Sequence, residues 1–110
     1  MKRRAFLGLF LLPLARGQAC TPTPALTEGP YYLREVPRRQ DLREGLFGVP
    51  LRLLLRVQDR ACRPMGGVRV DLWHADAQGR YSGVQAPGVF CRGWQATDEG
   101  GEVAFLTLFP

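Results

Sequence analysis

Short runs of alternating apolar and polar residues fill the second half of the chain, and they constrain the fold more than any other feature. In residues 51–58, every second side chain is leucine or valine, and most of the positions between them are polar. A period of two places one set of side chains on one face of a β-strand. Similar runs at 68–74, 89–96 and 102–109 are separated by segments rich in Gly, Pro and Asp. The pattern predicts an all-β fold, an antiparallel or mixed β-sandwich.

The segment before the first predicted strand has a different character. Residues 20–50 are rich in Pro, Gly and charged side chains and show no sustained period of either 2 or 3.6. Prolines recur throughout this segment and exclude a long helix. They stand at positions Pro22, Pro24, Pro30, Pro37 and Pro50. We predict an extended arm over 20–50, with at most one helical turn near 41–45, followed by a partial sandwich domain over 51–110.

Residues 1–19 are predicted to be an export signal. Lys2, Arg3 and Arg4 form a basic end, and residues 5–15 form an apolar run that is too short to cross a bilayer. The paired arginines fit the twin-arginine route and the general secretory route about equally well. In either case, the mature protein is expected in the periplasm or outside the cell.

Charge and cysteine content bear on the partners of the protein and on the state of its thiols. Four basic residues lie in the predicted signal, so the remainder carries a formal charge of +1 against +5 for the whole chain, and we infer no nucleic-acid partner. In an oxidising compartment, Cys62 and Cys91 could form a disulfide, or both could be small buried hydrophobic residues. Cys20, at the new N-terminus, would be either left free or lipidated, and lipidation would anchor the protein to a membrane.

The stretch DLWHADAQGRYSG, residues 71–83, holds most of the side chains that could carry chemistry. His74 is the only histidine in the chain, and no HxH or HxxxH spacing gives it a partner. We therefore expect a packed, hydrogen-bonded histidine rather than a metal ligand.

Asp71 and Asp76 are poorly spaced for paired acid-base work, and Asp76 fits a turn-capping role. Tyr81 offers a hard phenolate oxygen that suits Fe(III), although a tyrosine at a strand edge is usually core or interface filler.

Five motifs in a fixed order resemble the intradiol ring-cleavage dioxygenases, the family that includes the catechol and protocatechuate dioxygenases. They are TEGPYYLRE, DLREG, PLRLLLRVQD, GVRVDLWHADAQGRYSG and RGWQATDEGGEVAFLTLFP, and together they extend over residues 27–110. The resemblance implies a mixed β-sandwich that carries one non-haem Fe(III), held by two tyrosines and two histidines. It also implies a small aromatic diol and O2 as substrates.

The resemblance assigns roles to four residues. Tyr81 follows the tryptophan-containing strand in a Gly-x-Tyr turn and corresponds to the first tyrosine ligand, so it is expected to be both a metal ligand and a catalytic residue. Gly29, Pro30 and Tyr31 correspond to a segment that walls the substrate pocket, although a rigid turn explains them nearly as well. The family position of His74 does not bind iron, in agreement with the interpretation from the residues.

The chain departs from the family pattern at Pro110. Family members continue into a second tyrosine ligand, an arginine and a His-x-His pair, so these 110 residues hold one of four expected ligands. One phenolate cannot hold iron against water and competing chelators. We therefore expect an exported, C-terminally truncated intradiol dioxygenase whose 110 residues are inactive alone, and whether the parent protein forms a homo-oligomer stays open. The alternative is a non-catalytic extracellular β-sandwich module that binds sugars or proteins.

Overall fold

The computed structural model describes residues 20–110, so the predicted export signal lies outside the described residues. Four strands follow one another along the chain: β1 (Pro50–Arg56), β2 (Arg69–Trp73), β3 (Arg92–Ala96) and β4 (Glu102–Leu108). Residues 20–110 contain no helix, and therefore none that is long and apolar enough to span a membrane. The predicted all-β fold class is confirmed.

The strands pair into two antiparallel sheets of two strands each, β1 with β4 and β2 with β3. Leu53 lies opposite Phe105 in the first sheet, and Asp71 lies opposite Trp94 in the second. Along the first part of β1, Leu51 and Leu53 are partly buried while Arg52 and Leu54 are exposed. The period of two in the sequence therefore corresponds to one covered face, because successive side chains of a strand point to opposite sides.

Strand β3 begins three residues later than the alternation predicts. Phe90 and Cys91 are buried but form a turn, and Cys91 has a φ angle of 56°. This backbone conformation lies outside the extended region. The Arg39 side chain donates to the carbonyl oxygens of Val89 and Arg92, on either side of the turn. Buried apolar residues in a turn and in a strand look alike in the sequence. The periodicity therefore could not locate the start of β3.

The predicted arm is extended, and part of it connects the two sheets. Arg38 forms a parallel bridge with Trp94 of β3, and Asp41 forms a parallel bridge with Leu106 of β4. Since β3 pairs with β2 and β4 pairs with β1 along their other edges, residues 37–42 lie between the sheets. The arm is thus an integral part of the sandwich.

The apolar core forms where the arm meets the sheets. Leu42, Val103 and Phe105 make up its buried centre, and Leu42 and Phe105 are fully enclosed. Gly93 allows the arm to approach β3 closely, because a Cβ at this position would lie 2.5 Å from the Leu42 side chain. The half-buried side chains that pack against this centre are Leu53, Val70 and Leu72. An arm residue is therefore central to the core, which the sequence did not indicate.

The disulfide joins Cys20 to Cys62, whereas the sequence suggested a bond between Cys62 and Cys91. Cys91 is a fully buried free thiol, as in the alternative that treats it as a small hydrophobic residue. The pairing differs because Cys62 lies in the partly exposed turn after β1, while Cys91 is enclosed beside β3. Lipidation would need the Cys20 sulfur, so a chain with this disulfide is not anchored to a membrane through Cys20.

Three turns share one hydrogen-bond pattern. In the turns that begin at Asp59, Asp76 and Asp98, the carboxylate accepts hydrogen bonds from the backbone N–H groups two and four positions later. At Asp59 and Asp76, the same carboxylate also pairs with an arginine four positions later. These bonds confirm the capping role predicted for Asp76 and satisfy turn N–H groups that the sheets leave without partners.

Candidate functional site

Tyr81 lies half-buried at the start of a tightly bonded turn, residues 81–86. Its N–H donates to the Gln85 side-chain oxygen at 3.1 Å, and its carbonyl accepts the Gln85 backbone N–H at 2.8 Å. The next residue, Ser82, is fully buried and donates its hydroxyl to the Phe90 carbonyl at 2.5 Å. These bonds fix the backbone that carries the Tyr81 side chain.

The arm covers this turn with an aromatic contact. The Tyr31 ring stacks on the Tyr81 ring, with centroids 4.3 Å apart and an interplanar angle of 16°. Gln85 also donates a side-chain N–H to the Tyr31 hydroxyl oxygen at 3.2 Å. At Gly83, where φ is +74°, a Cβ would lie 2.7 Å from the Leu33 side chain. The absence of a side chain at Gly83 therefore allows the arm to pack against the turn. The structure therefore brings Tyr31 against Tyr81, and a role for it in a substrate pocket stays a prediction.

The neighbours of Tyr31 in the arm lie elsewhere. Tyr32 contacts Trp73 of β2, with ring centroids 4.9 Å apart. Gly29 and Pro30 are exposed, and no heavy atom beyond the adjacent residues lies within 4 Å of the position that a Gly29 Cβ would take. Of the three residues predicted to wall a pocket, Tyr31 alone contacts Tyr81 through its ring, while Gly29 and Pro30 form the segment that leads into it.

A buried cation lies behind the Tyr81 turn. The Arg92 side chain is enclosed, with only 1% of the residue exposed, and its Nε donates to the Ser82 carbonyl at 2.8 Å. Within residues 20–110, neither of its terminal nitrogens, Nη1 and Nη2, has a hydrogen-bond partner. Burial lowers the pKa of the Arg92 guanidinium, and the negative charge of an ionised Tyr81 would oppose that shift. Unpaired buried donors cost stability and often mark functional sites.

Sequence reasoning missed both Arg92 and Gln85. An arginine at the start of a strand and a glutamine in a polar turn are ordinarily solvent-exposed, so neither residue drew attention. The family-like string RGWQATD does contain Arg92, and this was the one available signal that the position matters. For Gln85 the sequence offered no signal, because its partners Tyr31 and Tyr81 are brought together by the fold.

His74 is held on both sides of its ring. Nδ1 lies 2.7 Å from the Ala75 carbonyl oxygen, which only accepts, so this nitrogen carries a proton. Nε2 lies 2.8 Å from the hydroxyl of the fully buried Thr107, and the His74 backbone N–H donates to the Cys91 carbonyl oxygen at 3.1 Å. Burial raises the pKa of the Cys91 thiol. The packed, hydrogen-bonded histidine predicted from the sequence is confirmed, and both of its nitrogens are occupied within the protein.

The described residues do not by themselves fit a ferric ion. Residues 20–110 contain no group of three or more His, Cys, Asp or Glu side chains that could hold a metal. Asp76, the nearest carboxylate along the chain, already accepts four hydrogen bonds from Gln78 and Arg80. Tyr81 therefore offers one hard oxygen ligand, and one phenolate is too few to retain the ion.

Comparison with known proteins identifies the family. A family model described as a dioxygenase matches residues 27–110. An intradiol ring-cleavage dioxygenase from Tetranychus urticae is 35% identical, with a TM-score of 0.78, over 83% of this chain and 52% of that chain. The chain belongs to the intradiol ring-cleavage dioxygenases.

Other structures agree with this assignment. The dioxygenase domain of a dioxygenase and carbohydrate-binding fusion from Streptomyces sp. SirexAA-E is 38% identical, with a TM-score of 0.73, over 82% of this chain and 57% of that one. Catechol 1,2-dioxygenase from Pseudomonas arvilla C-1 is 31% identical, with a TM-score of 0.74, over 88% and 33%. No curated protein matches the chain. This intradiol dioxygenase chain spans about half the length of the Tetranychus and Streptomyces relatives.

Proposed function

We propose that the protein is an exported intradiol dioxygenase that cleaves a catechol-type aromatic diol with O2 and a non-haem ferric ion. The reaction cuts the ring bond between the two hydroxyl-bearing carbons and gives a muconate-type diacid. The observation that carries the proposal is the contact of Tyr81 with Tyr31. It places the residue that resembles a family iron ligand beside an aromatic side chain from the segment that resembles the family's pocket wall.

The neighbouring side chains suit a binding site for an aromatic ring. The Tyr31 ring is half-buried and offers an apolar surface, while Tyr81 supplies a polar oxygen. Arg92 and Gln85 fix the turn from two sides, so the backbone that carries the Tyr81 side chain has a defined position. Two relatives are named catechol and hydroxyquinol 1,2-dioxygenase, after single-ring aromatic compounds with two adjacent hydroxyl groups, which supports that substrate class here.

Export is supported by the disulfide between Cys20 and Cys62, since disulfides persist mainly in oxidising compartments. The predicted signal over residues 1–19 would direct the chain there. We propose the periplasm or the cell exterior as the location, with either the twin-arginine or the general route.

We further propose that the 110-residue chain is inactive alone, because it supplies one of the four ligands that the family resemblance implies. The purified chain, incubated with Fe(III), should show no visible tyrosinate-to-iron absorption band and no O2 uptake with catechol. A chain that acquires the band and turns over catechol would overturn this part of the proposal.

The activity itself is tested on protein expressed with whatever coding sequence follows residue 110 in the gene. We expect an absorption band and O2 uptake with catechol, and we expect Tyr81→Phe to abolish both. Tyr32→Phe is the matched control, because the Tyr32 ring packs on Trp73 rather than on Tyr81, and it should keep both. A Tyr81→Phe protein that retains its colour and its iron would contradict the proposed role of Tyr81.

A further inference from the structure

Three residues form a closed ring of contacts at the Tyr81 turn. The Tyr31 ring stacks on Tyr81, the Tyr81 N–H donates to the Gln85 side-chain oxygen, and the Gln85 side-chain N–H donates to the Tyr31 hydroxyl. The amide of Gln85 thus uses its acceptor on the turn and its donor on the arm. Gln85 itself is exposed, so this is a bridge at the surface rather than a buried network.

We propose that Gln85 is a positioning residue that holds Tyr31 against Tyr81 and thereby limits the size of the aromatic ring that can reach the Tyr81 oxygen. The limit on ring size rests on the proposed function, whereas the positioning of Tyr31 does not.

The surroundings of Tyr31 explain why one surface hydrogen bond has this influence. Residues 21–30 are all exposed, so the arm makes little packing contact between the disulfide at Cys20 and the Tyr31 ring. The position of Tyr31 therefore depends on its stack with Tyr81, on its bond to Gln85 and on the residues that follow it. A hydrogen bond of ordinary strength changes a docking equilibrium about fivefold. Loss of the Gln85 bond should therefore raise the undocked fraction of Tyr31 by about that factor.

The stack restricts access to Tyr81. With centroids 4.3 Å apart, the two rings leave no space for a third ring between them, so a substrate must approach Tyr81 from another side. A diol with one ring needs less room beside the docked Tyr31 than a diol with two fused rings. Release of Tyr31 would open the covered face of Tyr81 and relax this selection.

The first test uses the 110-residue chain with labelled tyrosines and follows the ring-proton chemical shifts of Tyr31 and Tyr81 by NMR. Gln85→Met keeps the length of the side chain but removes both hydrogen bonds, so the ring-current shifts of the stack should shrink. Gln85→Glu should preserve most of them, because a carboxylate still accepts from the Tyr81 N–H and can accept from the Tyr31 hydroxyl. Gln78→Met is the matched control, an exposed glutamine of the preceding turn that is joined to Asp76 through its backbone N–H, and it should change neither ring.

The second test measures activity with catechol and with a two-ring ortho-diol, on protein expressed as in the activity test of the proposed function. Gln85→Met should raise kcat/KM for the two-ring diol relative to catechol by about fivefold, in line with the expected undocking, and Gln78→Met should leave the ratio unchanged.

Unchanged Tyr31 and Tyr81 shifts in Gln85→Met would overturn the positioning role. An unchanged ratio in spite of a lost stack would overturn the size limit. Changed shifts in a protein that turns over no diol would support the positioning of Tyr31 and count against the proposed function instead.

Discussion

Two regions of the sandwich are buried in different ways. The region around Leu42 and Phe105 is apolar and closed by the arm, and it has the composition expected of a stabilising core. The region behind Tyr81 encloses Arg92 and Ser82, which are polar and fully buried. Its groups are only partly satisfied, since two Arg92 nitrogens have no partner among the described residues. The difference indicates that the first region holds the fold together, whereas the second tolerates a cost in stability beside the candidate site.

The largest expected effect comes from the apolar region. Phe105→Ala should lower the free energy of unfolding by about 4 kcal/mol, because it leaves a cavity where a fully enclosed ring packs. Leu54→Ala is the control, since Leu54 is 74% exposed in the neighbouring strand β1, and it should cost less than about 0.5 kcal/mol. Urea unfolding measures both, and similar losses in the two variants would contradict the location of the core.

Removal of the disulfide should destabilise the fold but leave the end of the arm that packs in the core in place. Cys20→Ser should lower the free energy of unfolding by about 3 kcal/mol, because the bond closes a long loop in the unfolded chain. In hydrogen exchange, the Leu42 N–H should keep its protection in this variant, because it donates to the Leu106 carbonyl beside the core. Titration of denatured, unreduced wild-type protein should detect one thiol, that of Cys91. A count of three would show that the disulfide is absent.

A substitution in the polar region should change the free energy of unfolding much less than one in the apolar region. Arg92→Met should change the free energy of unfolding by less than about 1 kcal/mol, because the lost bond to Ser82 is offset by removal of a buried, partly unpaired charge. The same urea experiment measures it. A loss of 3 kcal/mol or more would show that Arg92 stabilises the fold as Phe105 does, and the contrast between the two regions would disappear.

The smallest effect concerns acid sensitivity at the Asp76 turn, which precedes Tyr81. Backbone N–H bonds, that of Arg80 first, and the Arg80 guanidinium hold the pKa of Asp76 below its usual value. A carboxyl with a lowered folded pKa stabilises the fold above its unfolded pKa of about 3.9, and this contribution is lost as the pH falls through the folded value. Asp76→Asn should therefore lose stability less steeply than wild type below about pH 4. Asp59→Asn, in a turn with the same bonds, should behave alike, and a difference would show that the turns are not equivalent.

The sequence predicted the parts of this molecule that depend on local pattern. Strands β1, β2 and β4 follow from the alternation of apolar and polar residues, and the roles of His74 and Asp76 follow from their immediate neighbours. The insertion of Leu42 into the core was not predictable, since the charged residues on either side of it hide any period. The pairing of Cys20 with Cys62 likewise depends on which surfaces the fold brings together. In the candidate site, Tyr81 and Tyr31 came from family resemblance, whereas Arg92 and Gln85 became visible only in three dimensions.

The position of residues 37–42 between the two sheets has a consequence for the order of folding. Arg38 and Asp41 must find Trp94 and Leu106, which lie more than half of the described chain away. Contacts between such distant positions form late and slow the search, because a long loop must close before they yield any stabilisation. Strands β2 and β3 lie nearer to each other along the chain and can pair sooner, but neither Asp41 nor strand β1 can pair with β4 until residue 106 has left the ribosome. The segment that is synthesised early is therefore among the last to reach its place.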